Sequence, residues 1–154
     1  MTYIFDDEIN LESVSALIEK LDDLSVLYFS SNGGEHSYMK ILIDALNRKE
    51  GLQVFLFEFI GSAGTYFLTD FKGKLDISMA NIILFHKIDV VTFQLRKDLA
   101  NNKAYLKDLE KENKIYRAKI KKLLTKKQLK KFDKGEDVVV YKKQIEQWKL
   151  KNTN

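Results

Sequence analysis

The chain has 154 residues, 45% of them apolar and 12% aromatic, enough for one domain with a real core. With no cysteine and two histidines it can build neither a disulfide framework nor a thiolate zinc site, and little remains for any metal cluster. The formal net charge of +4 conceals an asymmetry: residues 1–95 carry 7 Lys+Arg against 14 Asp+Glu, a net of −7, whereas residues 96–154 carry 19 against 8, a net of +11.

The N-terminus, Met1-Thr2-Tyr3-Ile4-Phe5-Asp6-Asp7-Glu8, lacks the basic-then-apolar pattern of a signal peptide, and no apolar run approaches the ~20 residues of a membrane helix. A soluble, cytoplasmic protein with no membrane partner is expected. Tyr3-Ile4-Phe5 reads as a short strand. Asn10 is placed to cap a helix in which Leu11, Val14, Ile18 and Leu21 recur at helical spacing. Val26 to Ser31 is a β-prone run of the kind buried in a parallel sheet, ending in a turn at Asn32-Gly33-Gly34. Tyr38, Ile41, Leu42, Ala45 and Leu46 form a helical stripe that stops near Gly51. Val54 to Phe59 is a second buried strand, followed by Gly61-Ser62-Ala63-Gly64 and a short apolar helix at Tyr66-Phe67-Leu68. Lys74–Ser78 and Asn81–Phe85 read as two further strands, the second delivering His86.

From Phe93 to about Leu124 the pattern is one long helix, with Leu106, Leu109, Asn113, Tyr116, Ile120 and Leu123 alternating at three and four residues. This is a coiled-coil-like seam with one polar core position. A helix of about 30 residues spans about 45 Å and outgrows a small domain, so a homo-oligomer is predicted. The duller alternative packs the seam on a tail helix, Tyr141–Leu150, burying Trp148. The lysines of this half are interspersed with Asp98, Asp108, Glu110 and Glu112, with few arginines and no base-reading motif. A solvated helix face is therefore preferred to a nucleic-acid surface.

The β-α-β crossover makes its strands parallel, so the loops at their carboxyl ends share one sheet edge and Gly33-Gly34 should approach Ser62. Backbone N–H groups there, with the free N–H groups of a helix starting after Ser62, form a plausible oxyanion hole beside a hydroxyl. The blander reading is a tight turn and a helix cap. His86 at the next strand end supplies a base able to take and return a serine proton. His36, just after Gly34, is a rival base but reads better as a surface histidine. Ile60 stands where a hydrolase nucleophile elbow needs glycine, which sets the α/β-hydrolase reading aside.

Tyr28 to Gly34, Gly61 to Leu68, Lys72-Gly73-Lys74 and Ile83 to His86, in this order, resemble the proteolytic subunit of the Clp protease. Asn32-Gly33-Gly34 is similar to its Ser-Pro-Gly-Gly strand end, Ser62-Ala63-Gly64 to its Ser-Met-Gly loop, and His86 to the histidine of its Met-Ile-His-Gln strand. Gly135-Glu136-Asp137-Val138 with Gln144 to Trp148 resembles the segment carrying the family's catalytic aspartate. The resemblance implies an α/β fold of Clp/crotonase type: stacked β-α-β units, a mainly parallel sheet and a long C-terminal handle-like helix. It implies a single domain over residues 1–154, with a head (1–92), a handle-like helix (93–125) and a basic tail (126–154).

It further implies a serine endopeptidase acting on peptides or unfolded chains without a cofactor, with Ser62, His86 and Asp137 as triad and Gly33 or Gly34 and Ala63 as oxyanion donors. Two departures stand out. The family's pore-lining segment before the first strand is absent, which argues against an ATPase unfoldase partner. Its glycine-rich strand after the histidine is replaced by Lys87-Ile88-Asp89-Val90-Val91-Thr92. The alternative function is a catalytically silent assembly or binding module, and an acyl-CoA enzyme of the crotonase fold ranks last.

Overall fold

The structure, a computed structural model, describes residues 1–89 and 102–148. It falls into two compact units, Met1–Phe85 with Val139–Asn154, and His86–Val138.

The first unit carries β1 (Thr2–Asp6), α1 (Leu11–Ile18), β2 (Val26–Ser31), α2 (His36–Asn47), β3 (Gln53–Gly61), α3 (Tyr66–Thr69) and β4 (Lys74–Phe85). β1 to β4 are parallel neighbours in chain order, and β5 (Val138–Tyr141) completes a five-stranded sheet of order β1-β2-β3-β4-β5. The order means that every crossover steps to the same side of the sheet. The two strands expected at 74–78 and 81–85 are one continuous β4. Met79 and Ala80, between them, pair with Phe57 and Glu58 across an irregular register, so Ser78 to Asn81 did not need to turn.

Helix α1 begins as expected: the Asn10 side chain accepts from the Ser13 N–H at 3.0 Å while the Asn10 N–H donates to the Ser13 hydroxyl, a reciprocal cap that satisfies two orphan donors. In α2 the phase differs from the predicted stripe. Met39, Leu42, Ile43 and Leu46 are buried and Ile41 is exposed; the segment holds two overlapping helical stripes, and packing against α1 and the sheet selects one. Under the sheet, Phe5 stacks on Phe29 at 4.8 Å, Phe29 meets Phe67 at 4.6 Å and Phe67 meets Phe71 at 5.7 Å. Each such pair contributes about 0.5–1.5 kcal/mol beyond burial. After β5 comes α6 (Lys142–Ile145), shorter than the predicted tail helix, whose last residue Leu150 lies outside the described residues. Trp148 packs edge-on to Phe85 at 6.3 Å.

The second unit contains α4 (Lys103–Ile120) and α5 (Lys126–Asp133). The predicted start at Phe93 lies outside the described residues, and the helix stops at Ile120 rather than Leu124. Thr125 opens α5 with a reciprocal cap to Gln128, and this strong start signal ends the seam as one continuous helix. Tyr116, Ile120 and Leu123 are buried within the chain, with Tyr116 5.9 Å from Phe132. Leu106 remains 41% exposed. The polar seam residue Asn113 accepts from the Ile88 N–H at 2.8 Å and donates to the Ile88 carbonyl at 3.0 Å and the Leu109 carbonyl at 3.1 Å.

Candidate active site

In the first unit, β3 runs into Gly61 and the chain turns sharply at Ser62 into a short 3-10 segment, Ser62–Thr65, that leads into α3. Ser62 has φ +51°, and with Glu58 it is one of two non-glycine residues at positive φ among the described residues. That conformation costs an L-residue about 1–2 kcal/mol, so the surroundings must impose it. They do: Thr65 is fully buried and its hydroxyl donates to the Ser62 carbonyl at 2.6 Å, Ala63 is fully buried, and Ser62 itself is 8% exposed.

The loop after β2 presses against this turn. A Cβ placed on Gly33 would lie 2.5 Å from the Ser62 Cβ, and one on Gly61 would lie 2.5 Å from the Asn32 carbonyl oxygen. Only glycine allows this approach, and Gly33 also has φ +113°. The structure thus brings Gly33 and Ser62 together, as the crossover argument required.

The two glycines differ in what their amides do. The Gly33 N–H donates to the Ser31 hydroxyl at 3.0 Å, and that hydroxyl donates to the Asp7 carbonyl at 2.6 Å. Gly34 forms a parallel bridge with Ile9, in which Ile9 donates to the Gly33 carbonyl at 2.7 Å and Glu35 donates to the Ile9 carbonyl at 2.8 Å. The Gly34 N–H therefore faces away from Ile9 and has no acceptor among the described residues. Ala63 is the second residue of the 3-10 segment, where an N–H has no carbonyl within the helix. His36, the rival base, has its Nδ1 3.0 Å from the Tyr66 hydroxyl.

In the second unit, His86 directly follows β4 and is half-buried. Its Nδ1 lies 2.7 Å from the Lys87 carbonyl. A carbonyl can only accept, so Nδ1 carries a proton, and in the neutral imidazole the lone pair is then on Nε2. Asp137 is exposed in the turn before β5, and its carboxylate has no hydrogen-bond partner among the described residues. The Nδ1 contact that the triad pattern expects from this carboxylate is made instead by the Lys87 carbonyl. Sequence reasoning missed this carbonyl, as well as the Ser31 hydroxyl that occupies the Gly33 amide. Neither carries a signal, since any residue supplies a carbonyl and serine is ordinary at a strand end. Among the described residues no group of three or more histidine, aspartate or glutamate side chains could hold a metal ion, and no helix is long and apolar enough to cross a membrane.

No protein-family model matches the sequence, and no curated protein matches it. Among solved structures the chain is similar to a point mutant of ClpP1 from Listeria monocytogenes, with a TM-score of 0.67, 15% identity, and coverage of 95% of this chain and 85% of that one. At that identity the likeness concerns the backbone path: this chain has a ClpP-like fold, mixed α/β with a mostly parallel sheet.

Proposed function

We propose that the chain is a serine peptidase of Clp type, with Ser62 as nucleophile and His86 as general base. The observation that carries the reading is the left-handed backbone of Ser62 at a strand-to-helix turn, held against Gly33. Strain of this kind persists where the surroundings over-determine it, and it clusters at reactive positions.

In the proposed reaction the Ser62 Oγ attacks a peptide carbonyl while His86 Nε2 takes its proton. The tetrahedral oxyanion accepts from the N–H groups of Gly34 and Ala63, each donor being worth about 3 kcal/mol. Of the two glycines, Gly34 is the better donor because the Gly33 N–H is engaged by Ser31. His86 then protonates the leaving amine, and water releases the acyl group by the same steps in reverse. Asp137 enters as third triad member on the sequence resemblance alone. The fold also fits a homo-oligomer, and we assign Leu106, exposed on α4, to the contact between copies; light scattering should give a mass well above 18.0 kDa, lowered by Leu106→Lys.

A second reading, a catalytically silent assembly module, is favoured by one observation: the Asp137 carboxylate makes no bond among the described residues while a neutral carbonyl holds His86. Fluorophosphonate labelling separates the two. An active peptidase labels quickly and loses labelling in Ser62→Ala and His86→Ala. A slow rate equal in wild type and Ser62→Ala supports the silent module.

A further inference from the structure

We propose that α5 and the turn before it form a sequence-independent binding surface for the phosphate backbone of nucleic acid. The inference is independent of the peptidase reading, since it concerns the second unit alone, and it departs from the solvated face expected from the sequence because the interspersed acids, Asp98 to Glu112, all precede this separate helix and its turn. Between Glu112 and Asp133 the sequence holds nine Lys or Arg and no acidic residue. Arg117, one of the nine, is taken up by a bidentate pair with Asp133 at 2.5 and 2.8 Å. Lys121, Lys122, Lys126, Lys127, Lys130 and Lys131 are exposed and form no ion pair among the described residues.

Their placement is one-sided. At about 100° per residue, Lys126, Lys127, Lys130 and Lys131 occupy one sector of α5, about 140° wide. Phe132, fully buried, and Leu129, half-buried, lie on the opposite side. Lys121 and Lys122 extend the same run of cations across the turn. Crowding six ammonium groups on so short a surface is unfavourable in the free protein, and a polyanion relieves it by releasing its condensed counterions.

Three polyanions compete for such a surface. An acidic bilayer would favour exposed apolar side chains that insert between headgroups, but Leu123, Leu124 and Phe132 are buried here. An acidic protein would favour aromatic or arginine anchors, and this surface has lysines only. Phosphate backbone suits compact, strongly hydrated lysine charges without bidentate geometry. The absence of base-reading arginines makes the binding indifferent to sequence.

The test is fluorescence anisotropy of a labelled duplex of about 20 base pairs with the full chain. If about four phosphates are neutralised, log Kobs falls with log salt at a slope of about −3.6, and raising salt from about 50 to about 200 mM weakens binding about 10²-fold. Changing Lys126, Lys127, Lys130 and Lys131 together to Gln should weaken binding at least about tenfold and flatten the slope by about 3. The same four-charge change at Lys103, Lys107, Lys111 and Lys143, all exposed elsewhere, should leave most of the affinity. Circular dichroism checks that both variants remain folded. Equal losses in the two variants would show a net-charge effect and overturn the site. So would absence of duplex binding at about 50 mM salt, or tighter binding to phosphatidylserine vesicles or polyglutamate than to the duplex.

Discussion

The Asn113 carboxamide pairs with both the N–H and the carbonyl of Ile88, so one side chain on α4 completes the backbone hydrogen bonding of a residue two positions beyond His86. Asn113→Ala leaves these part-buried groups without partners, at a cost of about 1–3 kcal/mol. Hydrogen exchange of the Ile88 amide should accelerate by at least about tenfold, with β1 to β3 unaffected. Asn113→Asp, which keeps an acceptor but no donor, should recover part of the Ile88 N–H protection. Unchanged exchange in Asn113→Ala would show that the pair holds nothing in place.

Gly33 and Gly51 both have positive φ, +113° and +73°, but only Gly33 is crowded: a Cβ on Gly51 meets nothing within 4 Å. Gly51→Ala should cost about 1 kcal/mol from the backbone term alone. Gly33→Ala adds collision with the Ser62 Cβ and should cost about 2–4 kcal/mol. Denaturant midpoints measure both, and equal costs would mean that the two loops separate freely.

The role of Asp137 is testable against its neighbour. If Asp137 stabilises the His86 imidazolium during turnover, Asp137→Asn should lower kcat by about 10⁴-fold while Glu136→Gln has a small effect. Fold and oligomer should be unchanged in both. Similar effects of the two substitutions on an active enzyme would reduce Asp137 to a loop acid and leave the Lys87 carbonyl as the partner of His86.

The Arg117–Asp133 pair predicts a pH dependence in the second unit. Hydrogen bonding to Arg117, then its charge and that of Lys87, hold the Asp133 carboxyl below its ordinary value. A carboxyl lowered by folding contributes stability that is present above its unfolded value, near pH 3.9, and lost as pH falls through the lower folded value. Both groups are about 40% exposed, so the contribution is small and screened by salt. Asp133→Asn should therefore lower the melting temperature slightly at pH 7 in low salt, and by less at pH 2. An undiminished difference at pH 2 would exclude the ion pair as its cause.

The sequence by itself determined β1 to β3, the helices between them and the meeting of their ends, whereas β4 was read as two strands and β5 was not read as a strand. Continuous β-prone runs separated by helical stripes allow only a parallel sheet, and parallel crossovers put the Gly33 and Ser62 loops on one edge whatever the details. Caps are local too, so Asn10 was legible in full. What the tertiary structure decided was everything that depends on which surface a residue meets. Ile41 or Ile43 could each belong to a buried helical stripe, and packing chose Ile43. Asn113 was recognisable as a polar seam position, but not as the partner of Ile88. The seam itself ends at the Thr125 cap, with Tyr116 facing Phe132 of the same unit. The proton on His86 Nδ1 goes to a backbone carbonyl, a group present in every residue and therefore invisible in any sequence pattern.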